Sequence, residues 1–199
     1  MKTSIKTLIA TSLTAIVLTT SIFAASAKNT EKKPTTTSVP ASFKRVSVKG
    51  NVEVTFVQRQ NDGINYTDDN TGKAKITQEG DILRISSIDK EVCKLIVYVN
   101  DIYRIEASEN AVVRSSGKLK ARFLQIFLKG NAHADINSVT EGLYTVIDDN
   151  AELKLSGATD NHTLTMGKTP KLTIDRFAAL KTNISAKEAN ENEIAALIK

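Results

Sequence analysis

The chain is poor in the side chains from which many active sites are assembled. Of its 199 residues, one is cysteine and two are histidine. A single cysteine excludes an internal disulfide. Cys93 stands in "EVCKLIVYV", a strand pattern able to bury an inert thiol. His133 and His162 fall on opposite faces of the repeat described below, so a shared metal site is not expected. There is no Cys-rich or His-rich spacing, no P-loop, no dinucleotide fingerprint and no Gly-x-Ser-x-Gly elbow, and no cofactor is expected. Basic residues are interspersed with acids, without a cluster interleaved with aromatics, which argues against a nucleic-acid partner. The formal net charge is +5, and Lys2 and Lys6 belong to the leader. Beyond that leader no apolar run is long enough to span a bilayer, so no stable membrane span is expected after its removal.

The leader has the layout of a secretory signal peptide over residues 1–27. Met1, Lys2 and Lys6 begin it, Leu8–Ala24 is apolar, and Ala25-Ser26-Ala27 is a small-x-small cleavage site. No cysteine stands directly after the apolar run, which argues against a lipid-anchored form. Residues 28–42, "KNTEKKPTTTSVPAS", read as a flexible polar linker. Residues 43–199 remain as one domain with a sizeable core.

That domain writes one pattern several times. "FKRVSVKGNVEVTF" (43–56) lies over "FLQIFLKGNAHADI" (123–136), with Phe43 on Phe123, Val46 on Ile126, Val48 on Leu128 and Val54 on Ala134. Stepping outward by two from Asn110, Asn131, Asn150 and Thr169 gives the same apolar series. Tyr103, Ile105 and Ala107 precede Asn110. Leu124, Ile126 and Leu128 precede Asn131. Ala151, Leu153 and Leu155 follow Asn150. Lys187 marks a last, degraded copy. The reference points are about twenty residues apart, a solenoid spacing, and the period of two inside each unit is that of strands. Two short strands around a turn, repeated at fixed length, predict a parallel β-helix whose rungs stack at about 4.8 Å. Asn at each turn is expected to take the left-handed conformation, and stacked Asn side chains can bond along the ladder.

"ITQEGDILRIS" reads as a hairpin about Gly80, and "EVCKLIVYVND" as a buried strand, giving a strand-rich N-terminal part. The tail "AKEANENEIAALIK" can form a short capping helix with Ile194, Leu197 and Ile198 on one side.

These stretches, with "KLIVYVNDIYRIEASENA", "LKGNAHADI" and "IDDNAELKLSG", resemble the head GIN-domain family of bacterial envelope proteins, the auto-transporter adhesin heads. The resemblance covers about residues 43–185. It implies an all-β fold, a right-handed single-stranded parallel β-helix, secreted or surface-exposed. Turns here carry Asn, Asp and Pro where the family usually has more glycine. No barrel-forming segment follows, so transport through such a barrel is not expected.

Two outward columns are predicted beside each other: Arg104, Gln125, Tyr144, Thr163, and Glu106, Phe127, Val146, Thr165. Phe127, Tyr144 and Val146 would form an apolar surface patch, a binding candidate unless other strands or a second copy cover it. A third column, Arg114, Asp135, Lys154 and Thr173, alternates in sign as a structural charge ladder does. A catalytic site on such a fold needs clustered carboxylates. Asp148 and Asp149 are adjacent but stand at a turn, so no catalytic residue is assigned. The reading is an exported, non-enzymatic cell-envelope module that adheres to or binds a surface glycan or envelope protein, in the periplasm, at the cell surface or outside the cell. Homo-oligomers are compatible with it. A polysaccharide-active β-helix enzyme and a structural or signalling-associated envelope module are the alternatives.

Mass spectrometry of the secreted protein should show a mature N-terminus at Lys28; a product that keeps residues 1–27 would contradict the leader assignment.

Overall fold

The computed structural model describes residues 42–186, apart from 88 and 168. The leader, nearly all of the linker and the tail from Lys187 therefore lie outside the described residues, as does the capping helix predicted there; of the degraded copy, Leu180, Thr182 and Ile184 stand on the last strand, where Thr182 and Ile184 pair with His162 and Leu164, two positions off the predicted repeat. The described residues contain no helix. Their strands form one curled, mixed sheet. In chain order these are β1 (Arg45–Gly50), β2 (Val52–Gln58), β3 (Gly63–Tyr66), β4 (Lys75–Glu79), β5 (Ile82–Ser87) and β6 (Cys93–Val99). They continue as β7 (Arg104–Ser108), β8 (Val112–Ser115), β9 (Leu119–Leu128), β10 (His133–Ile147), β11 (Glu152–Met166) and β12 (Lys171–Ala186).

Most neighbours pair in parallel, and the register follows the repeat. Val112, His133, Glu152 and Lys171 are successive partners, spaced 21, 19 and 19 residues apart. The doubled stretch in the sequence belongs to this scaffold. Val46 pairs with Ile105, which pairs with Ile126, and Val54 pairs with Val113, which pairs with Ala134. Like positions thus stand over like with one strand between them.

The overlay fails at its first pair. Phe43 precedes β1 and is fully buried, whereas Phe123 is 57% exposed. Phe123 adjoins the inward Leu124, and alternation sends it to the other face. Ahead of β7 the opposite holds: Ile102, not Tyr103, is buried, because the alternation does not extend back beyond Arg104. The units are also longer than two short strands. β10 and β11 are each 15 residues long, and β11 shifts register against β12 between Leu155 and Gly157, where Gly157 has a positive φ.

The core is a set of columns. Ala111, Ala132 and Ala151 are fully buried just after successive turns. Their carbonyls accept from His133, Glu152 and Lys171 at 2.9, 2.9 and 3.0 Å. Leu153 and Leu155 are fully buried, but their partners on β12 are not: Leu172 is half-buried and Ile174 is 49% exposed. No described strand pairs beyond β12.

Antiparallel strands finish the N-terminal part. β4 and β5 form the expected hairpin, with Gly80 at its tip, and β3 runs against β6. Arg45 pins the hairpin to β1, its Nε donating to Asp81 Oδ1 at 3.2 Å. Cys93 is buried, and desolvation pushes its thiol up to about 11, which keeps it protonated and inert.

The turns correct one expectation. The positive φ falls on the residue before each Asn, at Gly50, Glu109, Gly130 and Asp149, and not on the Asn. Ala111 N–H donates to Ser108 O and Ala151 N–H to Asp148 O, so each turn is four residues long with positive φ at its first central position. Glycine takes that conformation freely, and Glu109 and Asp149 take it at some cost. A side chain at Gly50 would also place Cβ 2.0 Å from Ser87 O, which excludes any other residue.

Leu153→Asp should lower stability by about 3–5 kcal/mol through an unpaired buried carboxylate. Lys154→Asp, one position along and exposed, should cost about 1 kcal/mol by facing Asp135. Equal losses in denaturant titrations would contradict the inward and outward assignment.

Candidate functional site

Because β7, β9, β10 and β11 stack in register, their outward side chains form flat columns. Arg104, Gln125, Tyr144 and Thr163 are successive partners, and so are Glu106, Phe127, Val146 and Thr165. Phe127, Tyr144 and Val146 come together as the spacing predicts. All three are half-buried. The Phe127 and Tyr144 rings lie 5.7 Å apart with planes at 58°, a tilted arrangement that favours the pair.

Arg104 covers part of this patch, and the spacing of apolar residues gave no sign of it. Its guanidinium carbon lies 4.9 Å from the centre of the Phe127 ring. Its Nε donates to Gln125 Oε1 at 2.8 Å, and Nη1 reaches Glu106 Oε1 at 3.5 Å. The cation is thus held in place by its own column neighbour and by the residue two along the strand. Such a contact contributes about 0.5–1 kcal/mol at an exposed position. The N-terminal strands reach the patch only at its edge, where Ser47 pairs with Glu106.

Two hollows flank the patch. One, about 310 Å³, lies beside Phe127 and Val146 and is bounded by Glu106, Lys129 and Asp148. The other, about 220 Å³, lies between Phe123 and Tyr144 with Gly142 beneath and Gln125, Asn161 and Thr163 around it. Phe123 was not among the predicted site residues. Its place next to an inward leucine is the signal that could have found it. Gly142 makes room for its ring, since a Cβ there would meet Phe123 Cδ1 at 2.8 Å.

The remaining candidates serve the scaffold. Arg114, Asp135, Lys154 and Thr173 stand in register, Lys154 Nζ is 3.8 Å from Asp135 Oδ2, and Arg114 pairs with Glu53. Exposed pairs of this kind contribute under about 1 kcal/mol each. Asp149 Oδ2 accepts from Gly130 N–H at 3.0 Å, and its carbonyl accepts from the Thr169 hydroxyl at 2.6 Å. These bonds employ Asp149 in the turn. The Asn row begins one copy earlier than predicted: Asn131 donates to Asn110 and Asn110 to Asn51, at 3.4 and 3.2 Å. Asn150 joins the stack through its backbone, donating to Gly130 O at 3.0 Å.

The histidines face opposite ways, as the parity requires. His133 is exposed, 3.7 Å from Glu152. His162 is buried; Nε2 lies 2.9 Å from Thr145 Oγ1, and the ring meets Phe177 edge-on at 5.4 Å. Among the described residues no group of three or more His, Cys, Asp or Glu is placed to hold a metal.

A stack of parallel strands at a repeat of about twenty residues, with an outward aromatic face, defines a repeat-built all-β class. Within it, the chain belongs to the family described as "Putative auto-transporter adhesin, head GIN domain", whose model matches residues 42–197. Among solved structures it is similar to a "putative adhesin" from Parabacteroides distasonis, at 12% identity and a TM-score of 0.55, with 76% of each chain covered. It is also similar to a "Putative lipid binding protein" from the same organism, at 12% identity and a TM-score of 0.51, over 73% of this chain and 75% of that one. A "putative adhesin" from Parabacteroides merdae matches at 13% identity and a TM-score of 0.49, over 73% of this chain and 74% of that one. None of the curated proteins matches the chain. Family membership supports an adhesion-like envelope module in general terms. No helix among the described residues is long and apolar enough to cross a membrane.

Burial holds the His162 pKa below its ordinary value, so the folded state keeps the ring neutral while the unfolded chain protonates it near pH 6.5. The unfolded state therefore gains protons first, and stability should fall as pH drops through about 6.5. Asp69 and Asp81, held low by hydrogen bonds from Lys94 and Arg45, lose their contribution only below about pH 4. Thermal melts at pH 7.5 and 5.0 should show a drop that His162→Gln reduces. The same drop in both proteins would remove His162 as its source.

Proposed function

We propose that this protein is an exported, non-enzymatic binding module of the cell envelope. On this reading the parallel strands wind as a right-handed, single-stranded β-helix, and the outward face centred on Phe127, Tyr144 and Val146 contacts a glycan or a protein at a surface. The observation that carries the reading is the Phe127–Tyr144 ring pair on in-register strands, with Arg104 stacked on Phe127. Rings and a pinned guanidinium on rigid strands have little side-chain freedom left to lose on binding. The hollows on either side offer uncharged partners, Gln125, Asn161 and Thr163, and charged ones, Glu106, Lys129 and Asp148. Such a mixture suits a polar ligand with apolar faces, which sugar rings and peptide surfaces both present.

Catalysis is the weaker reading on chemical grounds. Hydrolysis of a glycosidic bond requires two positioned carboxyl groups with separated pKa values. Asp149 is engaged in a turn, and Glu141 accepts from Arg122 Nε at 2.9 Å. Adhesion requires none of that chemistry. The family supports this general role, and on this reading the patch is the contact surface.

Tyr144→Ala combined with Phe127→Ala should weaken attachment to a native surface or to array-bound glycans at least tenfold, with an unchanged far-ultraviolet spectrum. Asp148→Asn with Asp149→Asn should leave attachment nearly unchanged. Turnover of a polysaccharide by the purified protein, lost on changing either aspartate, would replace the binding reading with an enzyme.

A further inference from the structure

The two ends of the strand stack are treated differently. At the N-terminal end, β4 and β3 run antiparallel along β5 and β6 and finish the sheet. At the other end β12 pairs only with β11, leaving one long edge unpartnered among the described residues. Its inward positions continue the core columns but lie open. Leu155 is fully buried and its partner Ile174 is 49% exposed. Leu164 is 2% exposed and its partner Ile184 is 70% exposed. Phe177 packs its ring on His162 and is itself only half-covered. An apolar core end joined to an unpaired strand edge is a template for association unless something covers it.

We propose that residues 187–199 of the same chain are that cover, seating Ile194, Leu197 and Ile198 over Ile184 and Phe177. Four observations select this occupant over a second copy. The segment leaves directly from the end of β12 at Ala186, two residues beyond Ile184. The eight steps from Ala186 to Ile194 span up to about 26 Å, enough to turn back along the nearer part of β12. The first seven of these residues are all polar or charged except Ala189, and the apolar ones then recur at 194, 197 and 198, the spacing of one helical face. The family match also runs to residue 197, eleven positions past Ala186, so the domain shared by the family includes this segment. Tethering gives it an effective concentration that a separate copy must exceed.

Hydrogen exchange on the whole protein tests the assignment. Ending the chain at Ala186, or introducing Ile194→Asp, Leu197→Asp and Ile198→Asp, should speed exchange of the 177–186 amides at least tenfold while β10 amides keep their protection. A disulfide between Ile184→Cys and Leu197→Cys should close within one monomer under mild oxidation. Unchanged exchange in both variants would overturn the proposal. So would a disulfide that fails to form or that joins two copies, the second of these assigning the edge to self-association.

Discussion

The corner formed by Gly50, Glu109, Gly130 and Asp149 must fall at the same point of every repeat, because stacked parallel strands share one register. A slip of one residue would send each inward leucine outward and each lysine inward. The ladder does not stop at the corner. Asn131 N–H donates to Glu109 O at 2.8 Å, and Asn150 N–H to Gly130 O at 3.0 Å, so backbone bonds run through the turns as they do along the strands. The Asn side chains add a second row of bonds just outside. Two of the four corners place a residue other than glycine at positive φ, and the fold tolerates that strain because the neighbours on both sides fix the geometry.

Register also decides what the interior can hold. Near the N-terminus the columns are aliphatic, with Val46, Val48, Val54 and Leu95 almost completely buried. Toward β10 and β11 the buried set turns polar, with Ser138, Thr140, Thr145, Thr159 and His162. Part of that set is satisfied internally: Thr140 donates to Thr159 at 2.8 Å, and Thr145 faces His162. Polar groups that meet partners cost little, but they bury less apolar surface than leucine in the same column. Hydrophobic support therefore thins toward the β12 end, where the last inward residues are also the most open.

Much of this was legible in the sequence. Alternation about Asn110, Asn131 and Asn150 gave the strand columns, the inward and outward faces and both outer columns of the candidate site, because a period of two leaves no choice of face once a strand is placed. It failed where strand parity ended. Phe123 matches Phe43 in an alignment of letters, yet only Phe43 is free of strand alternation and can turn into the core. The corner was misassigned by one residue for a related reason: propensity names the residues that tolerate positive φ, and the turn geometry decides which position needs it. Arg104 was placed in the right column, but its stacking on Phe127 depends on Gln125 and Glu106 holding it, a three-residue arrangement that no spacing reveals.

The outward face of β7, β9 and β10 is unusual within this scaffold. Elsewhere outward columns carry charge pairs such as Lys154 with Asp135, or Lys49 with Glu109 at 3.2 Å, which suit water on both sides and do little else. At Phe127, Tyr144 and Val146 the columns carry apolar surface instead, and the nearby Arg104 both stacks on the Phe127 ring and reaches Glu106 at 3.5 Å. One strand further on the same columns turn polar, with Thr163 beside Tyr144 and Thr165 beside Val146. On a half-buried face of this kind, rigid because its strands are in register and apolar beside charged columns, contact with another surface would release ordered water at little loss of side-chain freedom.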